Sequence, residues 1–379
     1  MKTKTTFSLF LLLGLTGLLG LAAEGPGDRP GKTRQSKVQI ALLLDTSNSM
    51  DGLIQQAKAT LWNLVNEFSQ VRCRESRSPE LEIALYEYGN DGLSPREGFI
   101  RQVLPFSQDL DEISQRLFSL TTNGGEEYCG QVIQTALRQL TWSKQPTDLK
   151  FIFIAGNEPF NQGQVPYEAV LDHSAEKDLV VNTIFCGDYE LGRRTLWADG
   201  ARRGRGEYSA IDHNRAVVHR HTPYDEIIIR LNRDLNSTYI GYGRGGAEKK
   251  ARQAAQDANA LEMEAPVLVE RAVSKSSAYY RNTGWDLVDA YKDESLKLSE
   301  LDREGLPQGL QNLSETELKS HLEQQGIRRR EIQEEIRELN ARREAYLSEE
   351  QDGEGSELQR ALLEAVKKQA GRKDFRWVE

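Results

Sequence analysis

Three near-continuous apolar segments constrain the fold of this chain most strongly. They read KVQIALLLD (37–45), DLKFIFIAG (148–156) and VVNTIFCG (180–187). A strand that is apolar along its whole length is typical of a sheet covered on both faces. Amphipathic segments separate these strands, and the first of them spaces its apolar residues as a helix does. This alternation over 37–243 predicts an α/β fold, a doubly wound and mostly parallel sheet with helices on both faces.

The N-terminus has the pattern of a signal peptide over residues 1–23. Lys2 and Lys4 precede the apolar run FSLFLLLGLTGLLGLAA, which ends in small residues. The run is shorter than the ~20 residues that span a bilayer, although an uncleaved membrane anchor remains the alternative. Residues 24–36 are rich in Gly, Pro and charge and predict a linker. We therefore expect an exported protein, in the periplasm or the medium, without a membrane span after cleavage.

The net charge limits the classes of partner. The whole chain carries a net charge of −9, and cleavage after residue 23 would remove two lysines and no acidic residue. A chain this acidic is a poor general ligand for nucleic acid, whose binding depends on neutralising phosphates. We therefore expect no nucleic-acid partner.

The C-terminal third is predicted to be helical. We expect a helical region over 246–348, a linker over 349–355, and a final helix and tail over 356–379. Ser314 and Glu317 have the spacing of a capping box. A narrow apolar stripe among many charges, formed by Ile332, Ile336, Leu339 and Tyr346, is typical of a helical hairpin or coiled coil. Two interpretations stay open, namely helices that pack on one another, or an arm for partner binding and self-association.

Polar residues cluster in three predicted loops, two that follow strands and one that precedes a helix. The segments are DTSNSM (45–50), TTNGGEEYCG (121–130) and AGNEPFNQG (155–163). Ligands of open α/β sheets bind at the carboxyl ends of the strands, so these loops predict one shared site. Asp45, Ser47 and Ser49 offer hard oxygen ligands of the kind that Mg²⁺, Mn²⁺ or Ca²⁺ prefers.

The stretch IALLLDTSNSM resembles the metal-ion-dependent adhesion site of the von Willebrand factor type A (VWA) domain, with its D-x-S-x-S motif. The resemblance covers roughly residues 38–243. It implies a Rossmann-like sheet with a divalent-cation site at its carboxyl face, formed here by Asp45, Ser47 and Ser49. It also implies that the domain binds a protein or peptide.

This chain departs from the family pattern at two ligand positions. Glu126 stands where the family usually has a threonine, and Glu127 follows it. Gly156 stands where the family usually has an aspartate, and Glu158 comes two residues later. Either Glu126 and Glu158 rebuild the metal site, or metal binding has been lost. Because no Arg or Lys lies in the three loops, we expect a cation to separate the carboxylates.

Cys129 follows the polar loop GGEEY and Cys186 ends a predicted strand, so both should lie near the carboxyl face of the sheet. In an exported chain a disulfide between them is possible. We expect these two cysteines to lie close together, bridged or merely adjacent, and Cys73 to lie far from both. Buried thiols are the alternative.

The sequence lacks the motifs of several large enzyme classes. It contains no nucleotide-binding P-loop, no G-x-S-x-G and no H-E-x-x-H. We therefore predict a non-enzymatic binding protein for a protein or peptide partner. The alternatives are a scaffold with a vestigial metal site whose C-terminal helices make the interactions, and a metal-dependent hydrolase.

Overall fold

The protein is described by a computed structural model. It covers residues 34–73, 78–215, 217, 219–349, 357–373 and 375–377, and residues Gln35–Glu379 form one compact unit. The predicted signal peptide and most of the linker that follows it lie outside the described residues, as does nearly all of the predicted linker 349–355. The domain boundaries proposed from the sequence stay predictions.

In the part of the chain that the structure describes, eight strands form a large sheet and a small one. The strands are β1 (Lys37–Asp45), β2 (Val71–Arg72), β3 (Glu80–Tyr88), β4 (Ile100–Ser107), β5 (Leu149–Gly156), β6 (Val180–Cys186), β7 (Arg205–Ile211) and β8 (Arg376–Trp377). The large sheet has the order β4-β3-β1-β5-β6-β7, and β2 pairs with β8 in the small sheet.

All pairings in the large sheet are parallel except that of β3 with β4. The parallel strands therefore end at the same edge. Helices lie on both faces, so the predicted fold class is confirmed.

Twelve α-helices connect and flank the strands. They are α1 (Asp51–Ser69), α2 (Leu110–Phe118), α3 (Cys129–Gln139), α4 (Tyr167–Glu176), α5 (Tyr189–Arg194), α6 (Trp197–Arg203), α7 (Asp225–Ser237), α8 (Gly246–Met263), α9 (Ala265–Lys275), α10 (Leu287–Lys292), α11 (Glu315–Glu349) and α12 (Glu357–Ala370), counted over the described ranges. In the same ranges, no helix has the length and apolarity needed to cross a membrane.

The sheet divides the core into two layers because successive side chains of a strand point to opposite faces. In β1, Ile40 and Leu42 belong to the layer shared with α1, whereas Ala41 and Leu43 belong to the layer shared with α3 and α4. Burying both sets explains why β1 is almost continuously apolar. Because β1 is buried on both faces, polar side chains gather where the strand ends, at its carboxyl end.

The C-terminal helices pack against the α/β part of the molecule. Helix α9 lies against α1, and α12 covers α1 and the adjacent face of β6 and β7. The amide of Gln369 in α12 donates a 2.9 Å hydrogen bond to Asn182 Oδ1 in β6, and both side chains are buried. The helices therefore do more than pack on one another, which corrects the first of the two interpretations above.

Helix α11 is held to its own chain by the stripe noted in the sequence. Ile332, Ile336 and Leu339 are buried in the core that α7 and α9 also enter. Arg329 and Arg343, also buried, form ion pairs from α11 with acids on α10, α7 and α9. The stripe is thus occupied within the chain. At the start of α11 the predicted capping box is confirmed, since Ser314 and Glu317 exchange hydrogen bonds of 2.8 and 3.2 Å.

Candidate metal and ligand site

Four loops meet at the carboxyl edge of the large sheet. Strands β3, β1 and β5 are neighbours and end at Tyr88, Asp45 and Gly156. The loop before α3 joins them, because the amide of Asn123 donates a 2.9 Å hydrogen bond to the carbonyl of Thr46. The polar segments predicted to converge therefore do converge.

Asp45 is the buried centre of this edge. Its side chain has no exposed surface. Oδ1 accepts a 2.8 Å hydrogen bond from the Ser47 amide, whereas Oδ2 has no hydrogen-bond partner among the described residues. Burial raises the pKa of Asp45 to about 7, against the opposing hydrogen bonds from Ser47. A buried carboxylate oxygen without a donor is costly, so this atom calls for a proton or a cation.

Two hydroxyls and an amide lie beside Asp45. Ser47 Oγ is 3.4 Å from Ser49 Oγ, and the Asn157 amide nitrogen donates a 3.1 Å hydrogen bond to Ser49 Oγ. Asn157 Oδ1 is buried and has no hydrogen-bond partner among the described residues. The site therefore has a second oxygen that is open to a cation or a donor.

The structure distinguishes the two adjacent glutamates of the loop before α3. Glu127 is buried, whereas Glu126 is exposed. Burial, together with repulsion from Asp45 and Glu158, raises the pKa of Glu127 to about 8. The glutamate that lies beside Asp45 is thus Glu127, and not the predicted Glu126 that precedes it in the sequence. Glu158 is half-buried, and its charge acts on both Asp45 and Glu127.

Gly89 shows how tightly the two carboxylates are held. This glycine has a φ of 77°, in the left-handed region that favours glycine. A Cβ atom there would lie 2.7 Å from Cγ of Glu127 and 2.9 Å from Oδ1 of Asp45. Gly89 therefore makes room for both side chains at the end of β3.

Gly156 explains the missing aspartate at the end of β5. A Cβ atom at this position would collide with the hydroxyl of Tyr88 and would lie 3.0 Å from Asp45 Oδ2. The Tyr88 hydroxyl donates a 2.9 Å hydrogen bond to the carbonyl of Ala155, and the ring is buried. Tyr88 thus occupies the space that a side chain at 156 would need. Sequence reasoning missed this role, because a tyrosine at the end of a strand carries no signal of its own.

His213 is a second residue that the sequence did not single out for this site. Its Nε2 lies 3.1 Å from the Ser49 carbonyl, and the Gln56 side chain holds the His213 loop through three carbonyls, including that of Asp212 at 2.9 Å. These contacts join parts of the chain that are more than 150 positions apart. No local pattern could have found them.

Cys129 and Cys186 are buried, and no disulfide joins them in the structure. Their side chains belong to different core layers, on opposite faces of the sheet. The Tyr88 hydroxyl lies 4.0 Å from Cys129 Sγ. The structure therefore does not contain a bridge between the two cysteines and agrees with the alternative of buried thiols.

The donor set fits a hard divalent cation by chemistry. Asp45, Ser47, Ser49, Asn157 and Glu127 offer only oxygen atoms, the ligand type that Mg²⁺ and Ca²⁺ prefer. In the described residues, no three acidic, histidine or cysteine side chains are grouped closely enough to hold a metal by themselves. Any cation here would therefore depend on the serine hydroxyls and the amide as well as the carboxylates.

Comparison with known proteins agrees with this geometry. The family model of the von Willebrand factor type A domain matches residues 39–184. These residues are a VWA domain. The match includes most of β1 and its polar loop, the loop before α3, and the end of β5, but not the loop that contains Asp212 and His213. A search of curated proteins finds no match.

Several solved structures are similar to the VWA domain in fold. BatB from Bacteroides thetaiotaomicron is 18% identical over 46% of this chain and 90% of its own, with a TM-score of 0.35. Proximal thread matrix protein 1 from the mussel byssus, with a zinc-occupied adhesion motif, is 13% identical over 46% of this chain and 42% of its own, with a TM-score of 0.36. The pilus tip protein Mfa5 from Porphyromonas gingivalis is 12% identical over 47% and 90%, with a TM-score of 0.35.

Proposed function

We propose that this chain is an exported, non-enzymatic binding protein whose VWA domain binds a protein or peptide at the carboxyl face of the sheet, with a divalent cation at Asp45. The VWA domain implies a capacity for protein interaction. The observation that carries the proposal is the unpartnered Oδ2 of fully buried Asp45, next to the hydroxyls of Ser47 and Ser49. The oxygen donors favour Mg²⁺, Mn²⁺ or Ca²⁺.

The non-enzymatic part of the proposal rests on the sequence, which lacks the P-loop, nucleophile-elbow and zinc-protease motifs. The export part rests on the charged and apolar pattern of residues 1–23. If the protein released product from generic phosphatase or peptidase substrates only when a divalent metal was present, the hydrolase alternative would be favoured instead.

Calorimetric titration of the full chain with Mg²⁺, Mn²⁺ and Ca²⁺ tests the cation. We expect saturable binding of at least one ion by the parent and loss of binding in Asp45→Asn. Asp172→Asn is the matched control, because Asp172 is exposed on α4. No binding by the parent, or equal binding by Asp45→Asn, would contradict a cation site at Asp45.

A second candidate function has support of its own. Gly156 supplies no carboxylate, and the pKa of Asp45 is raised to about 7 by burial, so a protonated Asp45 would suit a metal-free fold. The VWA domain would then be a scaffold, and the surface of the C-terminal helices would bind the partner. Capture of a partner by the full chain that is unchanged by chelator and by Asp45→Asn would favour this scaffold.

A further inference from the structure

The surface around the proposed cation site carries three acids that are exposed or half-buried. Asp91 and Glu126 are exposed, and Glu158 is half-buried. Oδ2 of Asp91 and the side-chain amide of Asn48 both lie within 3.5 Å of the position that a Cβ on Gly124 would take. These three acids therefore belong to the rim formed by the loops after β1, β3 and β5 and the loop before α3. We call Asp91, Glu126 and Glu158 the acidic rim.

Arg96, five positions after Asp91, is exposed, whereas three further arginines pair with acids outside the rim. Arg101 pairs with Glu87, Arg193 with Glu190 at 3.1 Å, and Arg215 with Glu357 at 3.0 Å. Within the described ranges, no lysine or arginine forms an ion pair with a member of the acidic rim. The three rim carboxylates therefore have no ion-pair partner among the described residues.

A bound divalent cation does not remove this charge. Its two positive charges would balance the negative charges of Asp45 and Glu127, the two buried carboxylates that lie against Gly89. The rim would keep three negative charges next to a locally neutral centre. An acidic side chain of a partner would meet repulsion from the rim and would find little positive charge to replace it.

From this charge arrangement we infer that the carboxyl face of this VWA domain recognises a basic side chain, a lysine or arginine, of its protein partner. The inference rests on the proposed function and names the chemistry of the partner. The unpartnered and fully buried Asp45 Oδ2 marks the centre of the surface, and the acidic rim selects what approaches it. Complementary charge of this kind acts mainly through specificity and the association rate.

Labelled peptides of equal length test the inference by fluorescence anisotropy with the full chain. The probes contain four lysines, four glutamates or four glutamines, and each is titrated with Mg²⁺ and with EDTA. We expect the lysine peptide to bind most tightly under both conditions and to weaken as salt is added. Tightest binding of the glutamate peptide in Mg²⁺ would overturn the inference.

A pair of charge-matched variants separates the acidic rim from the overall negative charge of the protein. Asp91→Asn combined with Glu126→Gln removes two rim charges, and we expect about tenfold weaker binding of the lysine peptide. Glu262→Gln combined with Glu331→Gln removes two exposed charges on α8 and α11, and we expect less than about a twofold change. Equal weakening by both variants would show that the rim is not the binding surface.

Calorimetry with Mg²⁺ on the same samples keeps this test distinct from that of the proposed function. If the ion binds but the glutamate peptide is preferred, the cation site stands and the basic partner is wrong. If no ion binds but the lysine peptide still prefers the intact rim, the basic partner stands and the cation is wrong.

Discussion

Two buried polar clusters in this molecule have opposite character. One joins α9 to α2 and α8, where Arg271 lies 2.8 Å from Asp111 and 2.5 Å from Asp257. Lys275 is 3.0 Å from Asp257 and 2.8 Å from Asn232 Oδ1. The other is the site at the carboxyl edge of the sheet, where no described lysine or arginine forms an ion pair with Asp45 or Glu127.

The pKa directions express this difference. Burial alone would raise the pKa of Asp257, but the charges of Lys275 and Arg271 hold it well below its usual range. Burial raises the pKa of Asp45 to about 7, and repulsion from Glu158 adds to the rise. A buried charge that is matched inside the chain is costly to leave without its partner, whereas one left unmatched points to a ligand from outside.

Breaking the matched cluster should have the largest effect on stability. Arg271→Met leaves Asp111 and Asp257 buried with one cation fewer, so we expect a loss of about 3–5 kcal/mol in the free energy of unfolding. It also removes the guanidinium stacked 4.7 Å from the Trp62 ring. Urea denaturation of the full chain measures this loss.

Arg281→Met is the control for that variant. Arg281 pairs with Asp293 at the surface, where an ion pair is worth less than about 1 kcal/mol. Similar urea midpoints for the two variants would mean that the α9 cluster is not a stabilising element.

The site at the carboxyl edge of the sheet should make the stability of the metal-free protein depend on pH. For Asp45 the folded pKa of about 7 lies above the ordinary value of 3.8, and for Glu127 about 8 lies above 4.5. The folded state therefore holds extra protons between about pH 4 and 8, and metal-free stability should fall as pH rises through this range. We expect Asp45 to contribute roughly 2–4 kcal/mol of this fall.

Thermal unfolding in EDTA at several pH values measures the slope. Asp45→Asn should flatten it, while Asp172→Asn on the surface of α4 should leave it unchanged. Saturating Mg²⁺ should reverse the slope, because cation binding needs ionised carboxylates. A metal-free protein that becomes more stable from pH 5 to 8 would contradict the burial of an unmatched acid at this edge.

The sequence was sufficient to predict the central strands of the sheet and the part of the site that directly follows β1. The apolar runs of β1, β5 and β6 predicted strands buried on both faces, and D-x-S-x-S directly after β1 placed Asp45, Ser47 and Ser49 at its carboxyl end. Both are local patterns, in which neighbouring residues report on one element.

Other features depend on contacts between distant segments. Gln369 reaches Asn182 across 187 positions, and His213 reaches Ser49 across 164. Nothing near either residue indicates its partner. The exclusion of a side chain at 156 by Tyr88 is likewise a matter of packing between two strands. Such features follow from the folded arrangement and leave no periodic signal in the sequence.

The adjacent glutamates Glu126 and Glu127 give the finest test of the site, and the smallest expected effect. Sequence alignment by motif favoured Glu126, whereas the structure buries Glu127 next to Asp45 and exposes Glu126. We expect Glu127→Gln to weaken Mg²⁺ binding about tenfold, since a carboxylate ligand is replaced by a neutral amide. Glu126→Gln should change the affinity less than about twofold, because an exposed charge is screened by water and salt. The two variants remove the same charge at neighbouring positions. A difference in their Mg²⁺ affinities, measured by calorimetry, therefore reflects the burial of one glutamate and the exposure of the other. A larger loss for Glu126→Gln would mean that the loop before α3 turns its first glutamate inward when the cation binds.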